Sequence, residues 1–366
     1  MDLSKMPAFI PGLTLSQTFY EEVVKPILVL YFPNLSYSAA LIGFGSDVIG
    51  YDTPMSRDHM WGPRLILFLP EKNFLEEKES INQCLRDHLP YTYKGYPTNF
   101  GSPDNIGVRL FQEINSGPVE HLIEITTIAG YFDQQLGQDR WRNPNHLDWL
   151  TFSEHVLLSL TSGAVFYDQL GLETIRKNLS YYPNDVWLYQ MASAWSYIGQ
   201  EEHFVGRTGS VGDDIGSRII TTRLIHVCMR LAFLQEKQFA PYSKWFGSAF
   251  QKLNNAKELT PLINKTLNAV DWQTRENNLC AVYEILAQNH NQLDLTKPIK
   301  TSCQFFHDRP FRVMGGDQIA QLIQSVIKDS SLRSTGLFGS VNQLSSTCDF
   351  LENTDALIQA KSIYKR

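Results

Sequence analysis

The chain has 366 residues, 43% of them hydrophobic and 19% charged, with a formal net charge of −6. Such a composition excludes disorder and fibre, and the length is enough for two cores. The charge leaves no overall basic field to hold a nucleic-acid backbone. Five cysteines (Cys84, Cys228, Cys280, Cys303 and Cys348) never form a CxxC pair. They argue against a disulfide framework or zinc cluster and suit a reducing cytoplasm. The N-terminal MDLSKMPAFIPG lacks a signal pattern and no apolar run is long enough for a membrane span, so the expected location is cytoplasmic.

In chain order, Ser16 with Gln17, Glu21 and Glu22 opens a helix that carries Phe19, Val23, Val24 and Ile27 on one side, with Pro26 to kink or shorten it. Ser38 to Gly45 is compact and apolar and ends on Gly, as a buried strand entering a tight turn does. Gly62-Pro63 introduces RLILFLP, a second buried strand ended by Pro70, and Glu71 to Leu89 follows as an amphipathic helix. Ile106 to Ile114 and Val119 to Ile128 are β-rich runs separated by Asn115-Ser116-Gly117-Pro118, which predicts a hairpin.

After about Asp148 the hydrophobic period becomes helical. Phe152 to Phe166, Trp187 to Ile198, Ile215 to Leu234, Ser243 to Leu253, Leu279 to Leu286 and Gln318 to Ile327 all show it. The expected class is α+β: a mixed sheet with helices in residues 1–147, then a predominantly helical domain in residues 148–366.

The stretch GFGSDVIGYDTPMSRDHMWGPRLILFL, from Gly43 to Leu69, carries the chemistry. Nucleotidyl transfer needs a triphosphate held by backbone amides and a small hydroxyl, with no Cβ in the way; Gly45 and Ser46 are of that kind. It also needs divalent metal held by carboxylates, and two at i and i+2 of one strand share a face. By spacing alone, Gly-Ser is also a common turn and a lone Asp a common strand cap.

The same run resembles the nucleotidyltransferase superfamily. Within it, the chain resembles a family of unknown function whose wording here is GS-x-V-x-G-x-D, then S-x-DHDWGPR. The resemblance continues through HLIEITT, LTSGAVFYDQLG, YYPNDVWLY, EEHFVGRTGSVGDDIGS, APYSKWFGSAF and HDRPFRV, covering most of the chain. It implies a nucleotidyltransferase-like fold, Gly45 and Ser46 as a phosphate-binding turn, and Asp58 as first metal ligand. Glu124 is the choice for a remote third carboxylate, with Glu120 next. Arg64 would neutralise phosphate, or be a solvated strand-edge residue. His59 is read as packing or as an orienting neighbour.

Met60 departs from the wording, which has Asp there. A thioether has no affinity for magnesium, so either Asp47 or Asp52 substitutes or turnover suffers. In the second domain, GRTGSVGDDIGS lacks the Gly-Lys-Ser/Thr ending of a phosphate loop, and Asp213 reads as a helix cap. Arg207, Asp213 and Lys244 stand as candidate nucleotide contacts, each with a plain structural alternative. Asp168 and His203 read as structural.

The resemblance therefore implies a Mg²⁺-dependent enzyme that moves an NMP group from an NTP, ATP by preference, to a hydroxyl of a small molecule or protein. The alternative is a nucleotide-binding pseudoenzyme or sensor. Nucleic acid and membrane are not expected partners; the net charge and the lack of a basic, aromatic-interleaved stretch disfavour RNA ends.

Overall fold

The computed structural model describes residues 7–365 except His59 and Ile106, and of Asp58 the main chain only. The fold is α+β. The chain divides into two compact units: one holds the residues up to Asn143 with Val156–Ser180, the other Pro144–His155 with Tyr181–Arg366. Residues 156–180 therefore fold with the sheet, whereas the change of period near Asp148 had placed them in the helical part.

The first unit opens with α1 (Gly12–Phe19), a π-helical turn over Tyr20–Val24, and α2 (Lys25–Tyr31). Pro26 has no N–H and its ring would press on the carbonyl four residues back, so the helix widens just before it rather than ending. Four strands form the sheet: β1 (Ser38–Leu41), β2 (Arg64–Leu69), then β5 (Leu122–Thr127) and β6 (Ala164–Asp168), in the order β5-β2-β1-β6. The small ladder β3 (Thr92–Tyr93) and β4 (Tyr96–Pro97) lies between β2 and β5 in the chain. β1 runs antiparallel to β2 and β6, while β2 and β5 are parallel, joined through α3 (Glu71–His88).

Register follows from the alternation of β2. Leu65, Leu67 and Leu69 face one core with Ile123 and Ile125 of β5, Ile81 and Leu85 of α3, and Leu15 and Phe19 of α1. Each such side chain contributes about 1.5–3 kcal/mol by burial, and a one-residue slip would turn Arg64 into that core.

Two expectations fail here for identifiable reasons. The hairpin across Asn115–Pro118 does not form; β5 pairs with β2, and residues 100 and 111 make one isolated bridge. Side chains replace the ladder: Asn99 donates to Gln112 O and accepts from Glu120 N, while the Arg109 guanidinium donates to the carbonyls of Gly101, Phe100, His121 and Glu120. Ile106, the start of that run, lies outside the described residues. The helix expected through Phe166 ends as α6 (Glu154–Thr161), and β6 follows. Gly163 makes the switch at φ +71°, with its α-carbon so close to β1 that a Cβ would lie 2.0 Å from Leu41 O.

At the end of β6, Asp168 accepts from Ser38 Oγ and from the N–H groups of Leu170, Gly171, Leu172 and Glu173. Burial opposes its charge, but these donors win and hold the carboxyl below its ordinary range. Its role is structural. α4 (Ile128–Leu136) follows β5 directly, and α7 (Leu172–Asn178) follows β6.

The second unit is helical apart from the hairpin of β7 (Gln304–Phe305) and β8 (Arg312–Val313). Its start is α5 (His146–Thr151), capped by Asn145 in a capping box with Asp148. Its centre is α8 (Asn184–Glu201), α9 (Phe204–Ser210), α10 (Asp214–Gln235), α11 (Ser243–Phe250), α12 (Ala256–Leu267) and α13 (Trp272–Gln292), with α14 (Gly316–Ser325) packed on α8. α15 (Ser330–Ser334), α16 (Val341–Leu344), α17 (Cys348–Leu351) and α18 (Thr354–Gln359) are short. Glu202, 4% exposed, accepts from the main-chain N–H groups of Met314, Gly315 and Gly316, fastening the start of α14 to the end of α8. Among the described residues no helix is long and apolar enough to cross a membrane.

Candidate functional site

β1 ends at Leu41, and its register puts residue 42 opposite Arg64 at the start of β2. Leu122 at the start of β5 is the register partner of Arg64 on the other side. The turn after β1 thus lies at one edge of the sheet, beside the first residues of β2 and β5.

That turn is built on two glycines that tolerate no side chain. Gly43 has φ +83°, and a Cβ there would lie 2.0 Å from the Tyr131 hydroxyl of α4. Gly45 has φ +128°, and its Cβ would meet Asp47 Oδ1 at 2.1 Å and Arg64 Nη2 at 2.3 Å. Arg64 Nη2 donates to Phe44 O (2.8 Å) and to Asp47 Oδ1 (2.7 Å), so it braces the turn from below. Among the described residues, the consecutive N–H groups of Gly45, Ser46 and Asp47 make no hydrogen bond, nor does Ser46 Oγ. Successive unpaired amides of this kind form an anion-binding concavity.

Glu124 pairs in register with Ile66, which pairs with Ala40, so all three share the sheet face away from the leucine core. Its carboxylate has no hydrogen bond or ion pair among the described residues. Although the side chain reaches solvent, burial by the surrounding protein raises its pKa, against the opposing pull of Arg64 and Lys78. Arg64 and Glu124 both act on Tyr131, whose phenol is pushed up chiefly by burial. Gly45, Ser46, Arg64 and Glu124 therefore gather around one edge of the first unit.

The strand pair expected at Asp58 and Met60 takes a different form. Asp58 closes a 3₁₀ turn, Pro54–Asp58, and does not open the strand; its side chain and His59 lie outside the described residues. Met60 stands at φ +47°, in the left-handed region, with its N–H on Arg109 O (3.2 Å). The i, i+2 rule for one strand face does not hold at these positions, because β2 begins only at Arg64. Gly62-Pro63 was the signal: a glycine at φ +145° breaks the extended run before the strand starts.

Each expected substitute is partly committed. Asp52 Oδ2 accepts from Gly12 N (2.7 Å) and Trp61 Nε1 (3.1 Å), and Asp47, 2% exposed, pairs through Oδ1 with Arg64 while its buried Oδ2 has no hydrogen-bond partner. Glu120 precedes β5 and pairs with Arg86. Among the described residues no three His, Cys, Asp or Glu side chains gather as a metal site.

In the second unit, Asp213 caps α10 by accepting from Gly216 N (2.8 Å), as its sequence context predicted. Arg207 is exposed on α9, 5.9 Å from the Phe204 ring, and Lys244 is exposed at the start of α11, 5.2 Å from the Trp245 ring. α11 meets α10 near His226 and Phe233 through Phe246. At 1.5 Å per residue, that places Lys244 about 20 Å along α10 from its capped end, away from Asp213.

Residues 149–246 match the family model described as Domain of unknown function (DUF4037). No curated protein matches the chain. Among solved structures it is similar to a nucleotidyltransferase-like protein from Exiguobacterium sibiricum 255-15, at 11% identity over 81% of this chain and 83% of that one, with a TM-score of 0.31. That likeness is too loose to transfer any residue's role.

Proposed function

We propose that the chain binds a nucleoside triphosphate at the turn after β1 and transfers its NMP group to a hydroxyl of a small molecule or protein, releasing pyrophosphate. The carrying observation is the row of three unpaired N–H groups at Gly45, Ser46 and Asp47, held open by two glycines and braced by Arg64. Phosphate oxygens are the natural partners of such a row. Ser46 Oγ adds a further donor beside it.

Mg²⁺ fits this edge in one respect: Glu124 offers an uncommitted carboxylate, and hard oxygen is what that ion takes. With Asp58 it would hold the ion, which supplies neutralisation of phosphate charge when bound. The chain's own contribution is positioning, with the turn fixing the phosphates and excluding a Cβ from their approach. Arg64 orients the turn. ATP is the first nucleotide to test.

Met60 supports a second reading, in which the protein senses nucleotide without turning it over, since a thioether gives Mg²⁺ no ligand. Calorimetric titration of ATP with and without Mg²⁺, and pyrophosphate release in the presence of cell extract, separate the two. The transferase reading expects Mg²⁺-dependent binding that Glu124→Gln weakens at least tenfold, and release above background. Binding that ignores both Mg²⁺ and Glu124→Gln, without release, favours the sensor; no nucleotide binding at all removes both.

A further inference from the structure

The second unit holds a cleft of about 210 Å³ between α8, α10 and the segment leading into α16. Its apolar wall is Ala194, Val227, Leu337, Phe338 and Leu344. Phe338 is 55% exposed and Leu344 49%, so large apolar side chains stand open at this cleft. A dry cavity of roughly 150 Å³ is enough to take benzene; this one has room for an aromatic ring and a short polar arm.

The polar side of the cleft is Arg230 and His226 of α10, with Ser193, Tyr197 and Gln200 of α8 and Gln343 of α16. Arg230 donates through Nη2 to Glu154, a carboxylate only 3% exposed. Its Nε is buried without a partner, and its Nη1 makes no hydrogen bond among the described residues. A guanidinium whose charge is already balanced still has donors left over. It favours an uncharged acceptor over an anion, since a second negative group would have to be desolvated close to Glu154. Glu154, Arg230 and the α8 and α10 residues of the wall all lie within the 149–246 stretch that matches the family model.

We propose that this cleft is a binding site for a small, uncharged aromatic ring bearing a carbonyl group, an aromatic carboxamide being the simplest member. The ring lies against Val227 and Phe338, and the carbonyl oxygen accepts from Arg230 Nη1. The site belongs to the second unit alone and does not depend on nucleotide binding at the first.

The test uses the full chain with three probes of one size: benzamide, benzoate and toluene, by saturation-transfer NMR and calorimetric titration. Benzamide is expected to bind about tenfold or more tightly than either of the others, because toluene leaves the donor unpaired and benzoate adds a charge. Val227→Phe should fill the cleft and abolish benzamide binding. Arg230→Gln alone would strand Glu154, so the paired variant Glu154→Gln with Arg230→Gln is used; it should erase the preference for benzamide over toluene. Circular dichroism and the melting temperature confirm that each variant is folded. Benzamide binding that survives Val227→Phe overturns the proposal. So does benzoate binding as tightly as benzamide, a preference that survives in the paired variant, or no benzamide binding to the unaltered chain.

Discussion

Replacing Gly45 by alanine tests the turn directly. At φ +128° a residue with a Cβ is strained by about 1–3 kcal/mol before any contact is counted. The added carbon would lie 2.1 Å from Asp47 Oδ1 and 2.3 Å from Arg64 Nη2, so the two must separate. Their side chains are 2% and 12% exposed, and breaking a buried pair of this kind costs about 3–5 kcal/mol. The sum is about 4 kcal/mol or more, a large fraction of the roughly 5–15 kcal/mol that holds a domain folded. Gly50 provides the control, since it sits in the same turn at φ +72° with nothing within 4 Å of its would-be Cβ. Gly50→Ala should cost only the left-handed strain, about 1–2 kcal/mol. Urea unfolding followed by far-UV circular dichroism measures both, with hydrogen exchange in the sheet assigning the transition to the first unit. Equal losses for the two variants would refute the claim that Arg64 and Asp47 close on Gly45.

Asp168→Ala should destabilise the sheet by about 1–2 kcal/mol, as loss of a strong cap does, seen in the same urea experiment. Because its carboxyl is held low in the folded chain, that contribution is present at neutral pH and is lost as pH falls below the ordinary aspartate range. Glu202 has the opposite sign. Burial outweighs its three N–H donors and raises its pKa to about 7, so the folded chain holds the proton more tightly than the unfolded one. Stability of the second unit should fall as pH rises from about 4.5 to 7, and Glu202→Gln should flatten that slope in melting curves.

Long helical runs were legible because their period persists over several turns. α3, α8, α10 and α14 begin and end within a few residues of where the alternation of apolar side chains places them. The capping of α10 by Asp213 was legible for the same local reason. What escaped depended on partners distant in sequence. β6 is five residues long and gains its ladder from β1, more than a hundred residues earlier, so its own pattern says little. The LTSG before it, with Gly163 at positive φ, was the available sign. The missing hairpin failed for a related reason: Asn99 and Arg109 satisfy carbonyls that a ladder would otherwise claim, and nothing in the spacing of residues 106–128 announces that. At the candidate site, the Gly-Ser turn was readable from residue type, whereas the bracing by Arg64 was not. That arginine was read as a phosphate contact or a solvated edge residue, and its Nη2 goes to the turn itself while its buried Nε has no partner.

The two halves of the candidate site are unequally built, and this decides what Met60 can affect. The anion half is main chain and glycine: Gly45, Ser46 and Asp47 offer their N–H groups whatever residue stands at 60. The cation half depends on carboxylates, of which Glu124 is the one described as uncommitted. On the transferase reading Met60 stands against that half, where the family wording has aspartate, and it also occupies a left-handed position, φ +47°, where aspartate is several-fold more at ease than methionine. Met60→Asp therefore has two separable expected effects. It should raise stability by a few tenths of a kcal/mol to about 1 kcal/mol through the backbone alone, with or without ligand. It should also tighten ATP binding in the presence of Mg²⁺ by about tenfold or more, while giving metal-free tripolyphosphate no gain, because an added carboxylate attracts a cation and repels an anion. Thermal melting and two parallel titrations read these effects. An equal gain for metal-free tripolyphosphate would mean that residue 60 acts through the shape of the turn, and the division of the site into an anion half and a cation half would be wrong.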